Sequence, residues 1–144
     1  EVPHVESVAE LSAALQKPAE VLVMAAAVSD FLVANPHKGK LPRSTVPELK
    51  LSSSPDLLAA YTKQFPESFA VGFALVDQEK DVIKASRSKL EAKGAKVVIG
   101  NSISSLEGND TVVHYVDADS VAEIAGTKSE VAREVMRRVA AQLS

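Results

Sequence analysis

The side chains best suited to binding anions are cationic residues in two settings. Lys38, Lys40 and Arg43 lie in a proline-punctuated stretch that directly follows an apolar run. Lys89 and Lys93 are four residues apart in a segment with helical character, so both project from one face of a helix. Cations arranged in this way can hold a polyphosphate. The alternative for Lys89 and Lys93 is a solvated helix face without a ligand, which is the more common role of such a pair.

A second feature with possible chemistry is the segment Ser54-Pro55-Asp56, which has the residue types of a helix start. We expect Ser54 at the N-cap, Pro55 at the first helical position and Asp56 in the first turn. The free backbone N–H groups of a helix start can bind a phosphate, although the Asp56 carboxylate would repel an anion that came too close. Ordinary capping is the alternative interpretation, and the residues alone leave both open.

Motifs for other chemistries are absent from the sequence. The six glycines form neither G-x-G-x-x-G nor G-x-x-x-x-G-K-[ST], which disfavours a dinucleotide oxidoreductase. His4, His37 and His114 are scattered without the spacing of metal ligands. There is no cysteine for a thiolate metal site, a disulfide or a thiol nucleophile. We therefore predict no metal site built from protein ligands alone.

Length, composition and charge restrict the class of protein further. The 144 residues are 46% apolar and 24% charged, as expected of a single globular domain over residues 1–144. A net charge of −3 without a basic block argues against a nucleic-acid partner. The longest apolar runs have eight residues, whereas a membrane-spanning helix needs about 20. The first residues, E-V-P-H-V-E, lack the basic and apolar regions of a signal peptide, so we expect a cytoplasmic protein without membrane contact.

Helix and strand patterns alternate along the chain. The continuously apolar run Val21–Val28 predicts a central parallel strand covered on both faces, and a long basic loop over residues 29–47 follows it. The other predicted elements, in order, are a helix from Ser7 to about Lys17, a strand near 48–51, a helix from Ser54 to about Gln64, a strand over 69–75, a helix over about 78–93, strands over 96–100 and 111–116, an uncertain strand or turn over 117–125, and a helix after the Thr127/Glu130 capping box.

This alternation predicts an α/β fold: an open, Rossmann-like, mainly parallel sheet with helices on both faces. Right-handed crossovers place the carboxyl ends of the strands at one edge, where ligands bind in such folds. The basic loop over 29–47 starts at that edge. Because long loops in compact domains are often lids or binding segments, we expect it to act as one.

Several segments together resemble one enzyme family. Residues 24–31, which read M-A-A-A-V-S-D-F, resemble the M-A-A-A-V-[AS]-D-[FY] segment of phosphopantothenoylcysteine synthetase, the phosphopantothenate:cysteine ligase of coenzyme A synthesis. Later segments follow in the family's order: K-L-P-R-S at 40–44 is similar to its flap motif K-I-K-[KR]-S, S-P-D-L-L at 54–58 to N-P-D-I-L, V-G-F-A at 71–74 to the same four residues, and K-L-E-A-K-G at 89–94 to K-L-x-x-K-[GN]. The combination, which extends from about residue 21 to 101, is far more specific than any one piece.

The resemblance implies a reaction. The carboxylate of 4′-phosphopantothenate would be activated by a nucleoside triphosphate with Mg²⁺, CTP in most bacteria or ATP in eukaryotes, to give an acyl-nucleotide and pyrophosphate. The amine of L-cysteine would then attack the acyl group. Family members are dimers, so a homodimer is implied as well. The sequence does not distinguish CTP from ATP, because no motif reads a base edge.

The resemblance also implies which residues form the site. Lys40 would stabilise charge that develops during catalysis, and Lys38 competes with it for this role. The nucleotide would contact Met24, Ala25, Ala26, Asp30, Lys40, Pro55, Asp56, Leu57, Leu58, Phe73, Lys89 and Lys93.

This chain departs from the family pattern at three places. Pro42 stands where a second flap lysine is usual, and Leu75-Val76-Asp77 replaces the Ala-Glu-Thr that commonly follows G-F-A. The chain also begins downstream of the family's N-terminal strand and of a loop that reads roughly S-N-x-S-S-G-K-M-G. A truncated ligase domain is therefore one hypothesis. A non-catalytic nucleotide-binding or subunit module with the same fold is the other.

Overall fold

The computed structural model describes residues 4–37, 39–43, 48–106 and 109–143. Four helices and seven strands are present in this part of the chain, together with 3-10 turns at Glu79–Asp81 and Ile103–Leu106. The helices are α1 (Val8–Ala14), α2 (Leu57–Gln64), α3 (Val82–Lys93) and α4 (Lys128–Gln142). The strands are β1 (Val21–Val23), β2 (Phe31–Val33), β3 (Leu51–Ser53), β4 (Phe69–Val76), β5 (Val97–Ser102), β6 (Asp110–Val116) and β7 (Val121–Thr127).

Five strands form one mixed sheet in the order β1-β4-β5-β6-β7. The pairs β1/β4 and β4/β5 are parallel, with Val23 opposite Val71 and Val71 opposite Val97. The pairs β5/β6 and β6/β7 are antiparallel. The expected open α/β sheet is thus confirmed, and its last two strands form an antiparallel extension. The carboxyl ends of β1, β4 and β5 meet at one edge.

Helices cover both faces of this sheet, as expected. On one face α4 buries Val131, Val135 and Val139 against residues of β4, β5, β6 and β7. On the other face α2 and α3 pack on a second cluster that includes Leu58 and Val98. Each fully buried valine contributes about 1.5–3 kcal/mol relative to an exposed one. The strands β4 and β5 are sandwiched between the two layers, which explains their continuous apolar runs.

The position of β1 differs from the sequence-based expectation. The run Val21–Val28 predicts a central strand, but β1 is at the edge of the described sheet and only Val21–Val23 pair with β4. The Met24 N–H still donates to the Val71 carbonyl at 2.9 Å, and the chain then leaves the sheet. The prediction was wrong because an apolar run carries no signal for which residues pair: residues 25–27 are exposed outside the sheet, and Met24, Ala26 and Val28 line a cavity.

A second, two-stranded sheet interrupts the predicted loop over 29–47. Strands β2 and β3 pair antiparallel, with Phe31 opposite Ser53 and Val33 opposite Leu51. The strand expected at 48–51 is therefore found slightly later, at Leu51–Ser53. Residue 38 and residues 44–47 of the loop lie outside the described residues.

The ends of the helices show which local signals were sufficient. The Thr127/Glu130 capping box is present at α4, with Glu130 N–H donating to Thr127 Oγ1 at 3.3 Å and Thr127 N–H to Glu130 Oε2 at 2.9 Å. Gly94 ends α3 in the left-handed conformation (φ 60°), as expected of a helix stop. At α1, Ser7 is the N-cap as expected, but the helix ends at Ala14, before Lys17, and buries no residue. None of the described helices is long and apolar enough to span a membrane.

The contact between α3 and β5 requires a glycine. A Cβ on Gly100 would lie 2.2 Å from Ser86 Oγ and 2.7 Å from Val82 Cγ1, both of which belong to α3. Val82 and Ser86 are fully buried at this contact. The absence of a side chain at residue 100 therefore sets how closely α3, which carries Lys89 and Lys93, approaches the sheet.

Candidate functional site

A small cavity of about 150 Å³ lies where β1 and β4 end and α2 begins. Its walls combine residues from four separate segments: Met24, Ala26, Val28, Leu57, Leu58, Phe73 and Lys89. All except Lys89 are apolar. Six of these seven residues belong to the nucleotide contacts that the family resemblance implies, and Val28 is the exception. Val28 is part of the quoted M-A-A-A-V segment, so the sequence contained a signal for it.

Among the described residues, Lys89 is the one charged side chain that lines this cavity. Its Nζ donates a hydrogen bond to the main-chain carbonyl of Phe73 at 2.5 Å. The carbonyl of Val71 is paired with Met24 N–H, and the next carbonyl that points to the same side is that of Phe73. Because the chain leaves the sheet after Met24, the Phe73 carbonyl is open to the ammonium group. The early end of β1 thus creates both the cavity and the position of Lys89.

Asp56 occupies the start of α2, with a different role from the expected one. It is the N-cap itself, with Oδ1 accepting from Ala59 N–H at 3.1 Å, so the helix begins two residues later than Ser54-Pro55 predicts. The local reason is that the Asp56 carboxylate reaches the free N–H groups of the first turn. Ser54 instead donates its backbone N–H to the Asp30 carbonyl at 2.8 Å. Pro55 is exposed between the two.

The Asp56 carboxylate also forms an ion pair with Lys93 across the gap between α2 and α3. Partial burial would raise the pKa of the Asp56 carboxyl. The Lys93 ammonium, the Ala59 N–H and the nearby charge of Lys89 outweigh burial and hold this pKa below its ordinary value. Asp56 is therefore ionised at neutral pH and compensates part of the positive charge of the two lysines.

The hydrogen bond between Asp30 and Ser54 brings together two segments that are 24 residues apart in the sequence. Asp30 immediately precedes β2, and Ser54 immediately follows β3. Pairing of these two strands therefore places Asp30 next to Ser54, just before the start of α2. The Asp30 side chain is exposed. Ala25 is exposed as well, between the cavity residues Met24 and Ala26. The structure thus gathers these expected contacts near one end of the sheet.

The flap residues lie apart from the cavity. Lys40 and Arg43 are exposed and, with Leu41 and Pro42, border a shallow depression of the loop. Lys40 is not among the residues that line the cavity. Lys38 lies outside the described residues, so the structure does not compare the two lysines. The described residues also contain no group of three or more His, Asp or Glu side chains that could hold a metal ion.

The sequence analysis missed a polar network near the start of α3. Glu79 Oε2 accepts from Ser102 Oγ at 2.5 Å, and Glu79 Oε1 lies 2.8 Å from His114 Nε2. These residues come from the turn before α3, the end of β5 and the middle of β6. The sequence analysis gave His114 no functional role, and no sequence spacing links it to Glu79, 35 residues earlier.

Comparisons with known proteins identify the family. The family model described as "DNA/pantothenate metabolism flavoprotein C-terminal domain" matches residues 1–143. Two relatives are named "Coenzyme A biosynthesis bifunctional protein CoaBC". The one from Thermococcus kodakarensis is 29% identical over 140 residues, which cover 92% of this chain and 35% of that protein. The one from Mycobacterium bovis is 32% identical over 154 residues, which cover 94% of this chain and 37% of that protein. The chain thus spans little more than a third of these relatives.

Solved structures show the same fold. The DNA/pantothenate metabolism flavoprotein from Streptococcus pneumoniae superposes with a TM-score of 0.76 at 20% identity, over 94% of this chain and 68% of that one. The C-terminal domain of a CoaBC protein gives a TM-score of 0.73 at 24% identity, over 96% and 64%. A Cab2 variant in complex with phosphopantothenate-cysteine gives 0.66 at 20% identity, over 82% and 42%. The fold and the family match agree with the motif resemblance: this chain belongs to the family of DNA/pantothenate metabolism flavoprotein C-terminal domains.

Proposed function

We propose that residues 1–144 form the nucleotide-binding ligase domain of a phosphopantothenate–cysteine ligase in coenzyme A biosynthesis. The observation that carries this proposal is the small cavity at the carboxyl edge of the sheet, which is lined by apolar side chains and Lys89 and has the start of α2 beside it. The names of the CoaBC relatives support it. So does the phosphopantothenate-cysteine ligand named for the Cab2 structure.

The cavity suits the heterocyclic base of the nucleotide. Met24, Leu57 and Phe73 offer apolar surface to a flat ring, and about 150 Å³ accommodates one ring system but not a whole nucleotide. The Lys89 ammonium already donates to a carbonyl oxygen, so it can donate to a ring acceptor in the same place. Cytosine and adenine both present acceptors, and we therefore propose CTP or ATP as the co-substrate without a preference.

The phosphates would extend from the cavity toward the loop that holds Asp30. Mg²⁺ usually binds one or two carboxylates and completes its shell with phosphate oxygens and water. The exposed Asp30 carboxylate fits this donor set, whereas the Asp56 carboxylate is already occupied by Lys93 and Ala59. When bound, Mg²⁺ would neutralise phosphate charge. Asp30 would hold the metal–nucleotide unit at the mouth of the cavity.

The proposed ligase reaction has two steps: activation of a carboxylate by the nucleotide and attack by an amine. An oxygen of the 4′-phosphopantothenate carboxylate bonds to the α-phosphorus of the nucleotide, and the bond to pyrophosphate breaks. The cysteine amine then attacks the acyl carbon, loses a proton and releases the nucleoside monophosphate. We propose that Lys40, which is exposed on the flap, approaches the α-phosphate when the flap closes and stabilises the added negative charge. Lys38 is the alternative for this role.

We further propose a homodimer that forms through the β2/β3 sheet. Phe31 is 60% exposed and Leu51 is 55% exposed, which is unusual for large apolar side chains in paired strands. Two strands alone are marginally stable in water and gain from a third or fourth. A second copy of the same sheet offers matching apolar side chains. Sedimentation velocity should give a dimer for the natural protein and a monomer for the Phe31→Glu variant.

Pyrophosphate release tests the proposed function. The natural protein that contains this chain, incubated with CTP or ATP, Mg²⁺ and 4′-phosphopantothenate, should release pyrophosphate in a burst, and cysteine should convert the burst into steady turnover. The rival hypothesis, a non-catalytic nucleotide-binding module, predicts nucleotide binding without pyrophosphate. Absence of both binding and release would overturn both hypotheses.

A further inference from the structure

The Glu79 carboxylate joins three elements near the start of α3. One oxygen accepts from Ser102 Oγ at 2.5 Å, and the other lies 2.8 Å from His114 Nε2. Ser102 Oγ also lies 2.9 Å from Ser104 Oγ. Ser102 is the last residue of β5 and is fully buried. The network therefore connects the turn before α3 with the end of β5, the following turn and β6.

The order of the groups excludes a nucleophilic triad. In a Ser–His–acid triad the histidine stands between the serine and the carboxylate and takes the serine proton. Here the carboxylate stands in the middle, and Ser102 donates to it directly. These two hydrogen bonds lower the pKa of the Glu79 carboxyl against the effect of partial burial, so Glu79 is charged at neutral pH. The network is suited to holding a segment in place.

The segment that Glu79 holds leads into α3. Glu79 lies in the 3-10 turn Glu79–Asp81, which runs directly into α3 at Val82. His114 pairs with Gly100, and Gly100 is the residue on which Val82 and Ser86 of α3 pack. The Glu79 hydrogen bonds thus act at the same point of the sheet as the closest approach of the helix. At the other end of α3, Lys93 is fixed by Asp56.

We propose that Glu79 is a positioning residue for Lys89. Its hydrogen bonds to Ser102 and His114 would set the position of α3 along the sheet, and thereby the place at which the Lys89 ammonium meets the Phe73 carbonyl in the cavity. The inference rests on the proposed nucleotide site, because Lys89 acts there. It adds a role for three residues that do not line the cavity.

The test is a double-mutant cycle on nucleotide affinity, measured by calorimetric titration of the natural protein with CTP and with ATP in the presence of Mg²⁺. Glu79→Gln should weaken binding about tenfold, a loss of the order expected when one residue of a coupled network is changed. In a Lys89→Gln background the same change should have almost no further effect, since the group that it positions is gone. Glu134→Gln is the matched control: it removes a carboxylate bonded to Arg137 and Arg138 on α4, on the other face of the sheet.

A second pair of variants keeps the test valid if Glu79→Gln does not fold. His114→Ala should weaken binding, whereas His114→Gln, which retains a nitrogen donor near the position of Nε2, should restore most of the affinity. Thermal denaturation of each variant distinguishes unfolding of the protein from displacement of Lys89 in a folded protein. Equal affinity losses for Glu79→Gln with and without Lys89 would overturn the inference, and so would wild-type affinity in both Glu79→Gln and His114→Ala. If the wild-type protein binds neither nucleotide, the proposed function itself fails and the inference falls with it.

Discussion

The Lys89 ammonium group contacts the Phe73 carbonyl just beyond the point where β1 stops pairing with β4. The ammonium group donates to the Phe73 carbonyl at 2.5 Å because β1 has left the sheet after Met24 and, among the described residues, no backbone N–H donates to that carbonyl. A hydrogen-bonding cation is thus held among the apolar side chains that line the cavity. A ligand that offers an acceptor can share or replace this hydrogen bond, and its flat surface can pack on the apolar walls.

This relationship gives the first prediction, which concerns the part of the nucleotide that Lys89 contacts. Lys89→Gln should weaken CTP and CMP binding by a similar factor, about tenfold, since a hydrogen bond to a charged group contributes about 1.5–3 kcal/mol. Lys84→Gln is the matched control because Lys84 is an exposed lysine of the same helix. A much larger loss for CTP than for CMP would place Lys89 on the phosphates, as the sequence pattern alone suggested.

The second prediction concerns Asp56 and the pH dependence of stability. The pKa of Asp56 is lower in the folded protein than its ordinary value of 3.8. Its stabilisation is therefore fully present above that value and is lost as the pH falls through the folded pKa. Asp56→Asn keeps a capping oxygen but loses the charge, so it should be less stable than the wild type in urea at pH 7. The difference should shrink below about pH 4.

Asp56→Ala serves as the comparison for this experiment. It removes the cap as well as the ion pair and should cost a further 0.5–2 kcal/mol, roughly, at every pH. A stability difference between the wild type and Asp56→Asn that is independent of pH would contradict the assigned ion pair with Lys93.

The third prediction tests the approach of α3 to the sheet. Gly100→Ala would place a methyl group 2.2 Å from Ser86 Oγ, and the overpacking should cost about 1–3 kcal/mol in the free energy of unfolding. Ser86→Ala removes that oxygen, which is buried without a hydrogen-bond partner among the described residues, and should be close to neutral by itself. The double variant should recover part of the loss. Additive losses in urea denaturation would show that the two residues do not share this contact.

The fourth prediction concerns the flap. Lys40→Gln in the natural protein should lower turnover by on the order of a hundredfold and leave nucleotide affinity within a few fold, since the lysine acts mainly in the transition state. Steady-state kinetics and calorimetry on the same samples separate the two effects. If Lys38→Gln loses turnover and Lys40→Gln does not, the catalytic flap lysine is residue 38. Full activity in both variants would remove the flap from the mechanism.

The sequence predicted those parts of the fold that depend on nearby residues. The capping box of Thr127 and Glu130 spans four residues, and the left-handed stop at Gly94 needs only one, so both were found. The edge position of β1 could not be predicted in this way. Val21–Val28 is apolar along its whole length, and only the tertiary structure divides it into a paired part and a part that includes cavity residues.

The candidate site shows the same division. The motifs around Met24, Leu57, Phe73 and Lys89 pointed to the residues that line the cavity, because each motif is a short continuous segment. The bond between Asp30 and Ser54 depends on the register of β2 and β3, and the bond between Glu79 and His114 depends on the order of strands in the sheet. Such pairs are distant in the sequence and carry no local pattern.

Calorimetric titration of the natural protein with CTP and ATP in the presence of Mg²⁺ shows whether the cavity is a nucleotide site. We expect one site per chain for at least one of the two nucleotides. Lys89→Gln should weaken this binding about tenfold, as expected for loss of a hydrogen bond to a charged group, whereas Lys84→Gln should not. Absence of binding for both nucleotides, or binding that Lys89→Gln leaves unchanged, would contradict the assignment of the cavity as a nucleotide site.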